Sequence, residues 1–154
     1  AVGCAHALPD TKMLLRLHPS MSFDRDRDGL GLGEPLPANV VLSDRPLVQD
    51  LAESRWALYR GSSAAIQALA CGLRPIYFES NEPLTIDPLF NLERWRVIAR
   101  SPADVVKIIQ TDGDSRFIAD AEERKIGMAY AADYFAPLSC DTLARLVREP
   151  GETT

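Results

Sequence analysis

Cysteine is scarce in this 154-residue chain: Cys4, Cys71 and Cys140 stand far apart, and no two form a C-x-x-C pair. An odd, widely spaced set builds neither a disulfide framework nor a cysteine zinc site, and reads as reduced thiols of a cytoplasmic protein. Long apolar runs are missing too. Nothing approaches the roughly 20 residues of a membrane span, and the amino terminus carries no signal-peptide pattern. Positive charge is outweighed, at a net −5, which argues against a broad nucleic-acid surface and leaves room only for a local basic pocket. No internal repeat is visible. The chain does not open on Met, as expected of a fragment or a processed protein.

What is present is ordinary for a globular domain, 46% apolar and 25% charged residues. The length suits one domain with a real core, placed at residues 1–150, followed by a frayed tail at 151–154. The chain is organised around RWALYRGSSAAIQALACGLRPIYFE, Arg55 to Glu79. Trp56 to Tyr59 has the length of a buried parallel strand. Gly61-Ser62-Ser63 breaks it where a helix must begin, with Ser62 a candidate N-cap. From Ser63 the apolar Ile66, Leu69 and Ala70 recur at helical spacing, Gly72 fits the C-cap, and Pro75 opens a second strand, Ile76 to Phe78. Strand, glycine turn, helix, strand is a βαβ unit. The first amides of its helix lack intrahelical partners and carry partial positive charge, which favours phosphate. Gly61 permits close backbone approach and the two serines add hydroxyl donors. The same short string also serves as a plain turn and cap, so context has to decide.

The remainder supplies that context. Ala1 to Leu8 reads as the tail of a helix, ended by Pro9-Asp10, and Lys12 to Leu17 as a strand with His18-Pro19-Ser20 at its carboxyl end. Open α/β sheets bind ligands at that end, which makes His18 a candidate; Arg16 precedes it by two residues and shares its strand face. Phe23 to Pro37 is a polar loop in which Asp24, Asp26, Asp28 and Gly29 copy the opening of a calcium loop. Its twelfth position is Pro35 and the flanks are not helical, so a solvated loop is expected, with no metal. Asn39 to Leu42 is a strand. A helix begins near Pro46, capped by Ser43 or Asp44, with Leu47, Val48 and Leu51 on its apolar face and Gln49, Asp50 and Glu53 on a solvated one. The loop from Glu79 to Leu92 is placed to touch a ligand. Arg96 to Ala99 is a last strand, and Ser101-Pro102-Ala103-Asp104 starts a helix that stops at Thr111-Asp112-Gly113. A long helix is expected over Ser115–Tyr134, with Phe117, Ile118, Ala121, Ile126 and Met128 apolar, and a final one over Asp141–Arg148. Alternation of this kind predicts an α/β fold: a doubly wound, Rossmann-like parallel sheet of about five strands with helices on both faces.

In this order the chain resembles the C-terminal, nucleotide-sugar-binding domain of GT-B fold glycosyltransferases, most of all bacterial enzymes of capsule and surface polysaccharide synthesis. RLHP (Arg16 to Pro19) resembles the His-Pro motif of several such families, sialyl- and polysialyltransferases among them. GSSAAIQALACGLRPI (Gly61 to Ile76) resembles their serine–glycine–proline signature, and AYAADYF with a following short helix resembles their C-terminal helices. The resemblance implies that His18 contacts donor phosphate or nucleotide and that Ser62 and Ser63 hold its phosphates. Gln67 stands where many relatives carry a ribose-binding Glu, and can still bond a diol without the charge. With Arg16, Gly61 and Glu79 these form the expected donor site; no catalytic residue is assigned. Two departures stand out. The strand and glycine-rich turn that open the family's domain are not found, and neither is the acceptor domain that usually supplies the catalytic base.

The expected function is therefore the donor half of a glycosyltransferase, moving sugar from a nucleotide sugar to a glycan, inactive as this chain alone. It uses no cofactor beyond the nucleotide-sugar substrate. Partners implied are that donor, a glycan acceptor held by an amino-terminal domain, and peripheral membrane association through the rest of the enzyme; nucleic acid is not expected. Two other readings share the architecture: a non-enzymatic flavodoxin-like binding or regulatory module, and a fragment of a nucleotide-sugar epimerase.

Overall fold

The computed structural model describes residues 2–29, 35–79, 86–112 and 120–135. Along them run α1 (Val2–Ala7), β1 (Met13–Leu15), α2 (Phe23–Asp26), β2 (Val40–Leu42), α3 (Leu47–Ala52), β3 (Trp56–Tyr59), α4 (Ala64–Ala70), β4 (Arg74–Phe78), β5 (Val97–Ala99), α5 (Pro102–Thr111) and α6 (Ala121–Tyr134). The expected helix at 141–148, the stretch 115–119 and the tail lie outside the described residues. Every strand pairing is parallel, and the expected five strands divide between two sheets: β1 with β2, and β3-β4-β5 in that order.

The period-two alternation of β4 shows how the layers form. Ile76 points to one face, where it packs with Cys4 of α1, Ala99 of β5 and Val105 of α5. Its neighbour Tyr77 points to the other, into a cluster with Tyr59, Leu69 of α4, Trp95 and Ala131 of α6. Helices therefore cover both faces, as a doubly wound sheet requires. Leu69, Ile76, Leu89 and Trp95 are almost wholly buried, and each such side chain contributes on the order of 1.5–3 kcal/mol.

Local chemistry sets the element ends. Ser101 accepts from the Asp104 amide while Asp104 Oδ2 accepts from the Ser101 amide, a full capping box with Pro102 at the first helical position. Gly72, at φ 78°, ends α4, and its backbone lies close to the Arg124 guanidinium. Trp95 is a buried non-glycine residue at φ 69°. Its indole Nε1 donates to Leu73 O at 2.9 Å and Arg74 stacks on its ring at 5.1 Å, contacts that hold a backbone worth about 1–3 kcal/mol of strain.

Two helix faces differ from the sequence expectation. In α3, Val48 is 65% exposed, whereas Asp50, placed by sequence on the solvated side, is 3% exposed. The reason is charge pairing: Asp50 turns inward because Arg16 and Arg45 meet it there. In α6, Ile126 and Met128 are exposed while Gly127 and Ala131 are buried. Small residues four apart let α6 approach α4 closely, so the packing stripe is the one without bulk.

Candidate functional site

β1 and β3 run the same way. α3 lies antiparallel to β1, with Asp50 against Arg16 and Glu53 against Lys12, then turns at once into β3. Between the two strands is a cleft of about 570 Å³, lined from Lys12 to Arg16 on one side and from Arg55 to Arg60 on the other. Its carboxyl end is where the sequence placed the site.

Gly61 takes φ 65°, the left-handed turn that only a residue without Cβ adopts freely. It delivers Ser62 and Ser63, both exposed, to the start of α4, and Ser62 reaches the cleft. The capping role read from sequence is weak. Ser63 occupies the N-cap position with helical backbone and no side-chain bond, while Ser62 Oγ accepts from the Ala64 amide at 3.3 Å. The first turn is closed instead by main-chain bonds from Ala65 to Ser62 and from Ile66 to Ser63. Neither hydroxyl proton is committed to the helix. Gln67, one turn on from Ser63, shares its exposed stripe.

His18 follows β1 and is exposed. Its Nδ1 accepts from the Ser20 amide at 3.2 Å and lies 2.7 Å from Ser20 Oγ, so the neutral ring carries its proton on Nε2, outward from this small turn. His18 does not line the cleft. Arg16, expected to join it, is engaged elsewhere: its Nη1 donates to Asp50 Oδ2 at 2.5 Å and to Arg45 O at 2.6 Å. Arg45 binds Asp50 through Nε and Nη2 at 3.0 and 2.7 Å and reaches Glu53 as well. Burial pushes the Asp50 carboxyl up; the Ser43 hydroxyl, close by without a well-formed hydrogen bond, and the two guanidinium groups outweigh it, holding the carboxyl down at about 2. Arg16 thus braces β1 against α3.

Glu79 ends β4, and its carboxylate accepts from Arg100 Nε, at the end of β5, at 2.6 Å. The two charges clamp the carboxyl ends of neighbouring strands. The calcium-like segment, expected to be a loop, opens as the helix α2, and its contacts are local: Asp26 pairs with Arg25 and accepts from the Ser22 amide, bonds that draw its carboxyl down to about 2.

Sequence reading missed a buried cluster beneath the glycine turn. The Tyr59 hydroxyl donates to Asp87 Oδ1 at 2.8 Å, the Leu89 amide donates to the same oxygen at 2.9 Å, and Arg96 Nη1 pairs with Oδ2. Burial first, then the adjacent Asp87 carboxylate, pushes the Tyr59 phenol up. Tyr134 donates to Pro88 O at 2.9 Å, so Tyr130, 3.4 Å away, donates to Tyr134. Burial and that neighbour push the Tyr130 phenol up to about 12. The segment read as a ligand-touching loop, Glu79 to Leu92, is described again from Ile86 on, where Asp87, Leu89 and Leu92 are buried while Ile86 and Phe90 are exposed. Residues 80–85 lie outside the described residues. The signal available in sequence was Asp87-Pro88, an Asx-type turn opening before apolar Leu89 and Leu92.

Among the described residues, no group of His, Cys, Asp and Glu is arranged to hold a metal, and no helix is long and apolar enough to cross a membrane. No protein-family model matches the chain, and no curated protein is significantly similar to it.

Proposed function

We propose that the chain is the donor-binding half of a glycosyltransferase, one that moves sugar from a nucleotide sugar to a glycan or surface-polysaccharide acceptor in the cytoplasm. The observation that carries this is the turn after β3: Gly61 at φ 65° presents two exposed serine hydroxyls at the carboxyl end of a parallel sheet. His18, with an outward Nε2–H, follows β1 at the same end. In this reading Ser62 and Ser63 donate to the donor's phosphates, His18 adds a further donor, and Gln67 bonds the ribose. The sugar–phosphate bond breaks with negative charge growing on the leaving phosphate, and donors fixed before the reaction stabilise that charge. Arg16 and Glu79 support the site's walls through their ion pairs and do not touch the donor. The acceptor and its general base belong to a further domain of the enzyme.

The resemblance of Gly61–Ile76 to the nucleotide-sugar signature favours this reading over a regulatory module. The test is calorimetric titration of the chain with UDP-, GDP-, dTDP- and CMP-compounds. Saturable binding of one nucleotide, weakened by Ser62→Ala with Ser63→Ala, supports it; no binding across the panel rejects it.

A further inference from the structure

The cleft between β1 and β3 has the anatomy of a strand position. Among the described residues, each strand is the open edge of its sheet. Met13 N and Leu15 O bond toward β2, so by the period of two the amide and carbonyl of Leu14 face the cleft. Likewise Arg55 O accepts from the β4 side, at Arg74, so the backbone groups of Trp56 and Leu58 face the cleft from the other edge. Leu58, in a strand of buried type, is 44% exposed. Helix residues close the cleft on both faces, Leu51 and Ala68 on one, Cys4, Val105 and Ile109 on the other. Main-chain groups at strand spacing run along both edges under these apolar helix residues, and charged side chains, Lys12, Arg16, Arg55 and Arg60 among them, also line the cleft.

Connectivity identifies the occupant. Parallel crossovers share one hand, so helices on opposite faces step the chain in opposite directions across the sheet. α4 leads from β3 to β4, away from the cleft. α3 lies on the same face, since Leu51 packs with Ala68 and Leu73, and it steps the same way from β2 across to β3. α1 lies on the other face, with Cys4 beside Val105 and its Sγ 3.7 Å from Pro102 O. A crossover through α1 into β1 therefore steps the opposite way, and the strand ahead of α1 falls on the β3 side of β1.

We infer that this cleft receives an extended apolar segment joined to the amino end of α1, entering parallel to both edges. It joins the two sheets into one, in the order β2-β1-segment-β3-β4-β5. It pairs with Leu14 on one side and with Trp56 and Leu58 on the other. The inference does not depend on the proposed function, because an inserted strand leaves Gly61, Ser62 and Ser63 at the sheet's end.

The test compares the 154-residue chain with the full-length product of its gene. Amide hydrogen exchange at Leu14, Trp56 and Leu58 should be fast in the shorter chain and slowed by about a hundredfold or more in the longer one. A second measurement uses Leu58→Pro, which removes an amide facing the cleft and none facing β4. An edge tolerates this and a central strand does not. It should leave the melting temperature of the shorter chain nearly unchanged and lower that of the full-length protein by about 10 °C. Equal exchange in both proteins overturns the inference, as does a full-length protein with no apolar segment ahead of α1. Protection that appears in the shorter chain only at high protein concentration assigns the cleft to a second copy. Protection that appears only with nucleotide assigns it to a ligand. Either result also overturns it.

Discussion

Gly127 of α6 stands against Leu69 of α4 so closely that a Cβ on the glycine would lie 2.8 Å from Leu69 Cδ1 and 3.1 Å from Trp95 Cδ1. Leu69 and Trp95 are almost wholly buried and have no room to yield. Alanine is the better helix former by about 1 kcal/mol, whereas overpacking a core costs about 1–3 kcal/mol. The second effect wins. Gly127→Ala should lower stability by about 1 kcal/mol net, and Gly127→Val by more, both read as a lower urea midpoint at unchanged slope. A stabilised Gly127→Ala protein would show that the two helices are not in contact as described.

That contact explains what sequence could and could not show. Element order was legible because strand and helix punctuation is local: Gly61 at φ 65°, Gly72 at φ 78° and the Ser101–Asp104 box each act within a few residues. Which face of a helix is buried is not local. α6 offers Ile126 and Met128, yet its partner α4 accepts only the side carrying Gly127 and Ala131. Asp50 reads as a surface residue until Arg16, distant in sequence, is folded against it. The site divided in the same way. Exposed serines after a glycine turn follow from the pattern, but whether Arg16 and Glu79 point at a ligand or at other charges is decided by tertiary neighbours.

The Asp50 cluster gives the protein a defined acid response. The Asp50 carboxyl is held at about 2, below its ordinary 3.8. A depressed folded value stabilises the protein above the ordinary value, and that stability is lost as pH falls from about 4 to about 2. Asp50→Asn removes this linkage. Its stability at neutral pH should be below wild type, and the gap should narrow through that window in urea titrations at stepped pH. Parallel curves would mean that the ion pairs do not form in solution.

The buried Tyr59–Asp87–Arg96 cluster predicts a graded series. Tyr59→Phe removes one donor while Asp87 keeps the Leu89 amide and Arg96, so the loss should be about 1 kcal/mol. Asp87→Ala leaves the Arg96 guanidinium, 14% exposed, without its carboxylate and should cost about 3 kcal/mol or more. In absorbance titration the Tyr59 phenol should resist ionisation well beyond an ordinary tyrosine, because burial and the Asp87 carboxylate both oppose a phenolate. A Tyr59→Phe protein whose titration curve loses one tyrosine ionising near the ordinary value of about 10 would contradict that placement.

The decisive prediction separates binding from folding at the glycine turn. Ser63 makes no side-chain cap and Ser62 makes only a 3.3 Å contact to the Ala64 amide, so replacing both with alanine should cost less than about 0.5 kcal/mol of stability. If their hydroxyls hold donor phosphate, each lost hydrogen bond to a charged oxygen is worth about 1.5–3 kcal/mol, and nucleotide affinity should fall by more than about tenfold. Arg16→Ala supplies the opposite pattern. It breaks a contact to buried Asp50, so stability should fall, while nucleotide affinity per folded molecule should stay within about twofold of wild type. Calorimetric titration paired with urea unfolding reads both quantities on the same samples. A double serine variant that binds nucleotide normally, or an Arg16→Ala protein that is stable and fails to bind, would move the phosphate site away from the turn after β3.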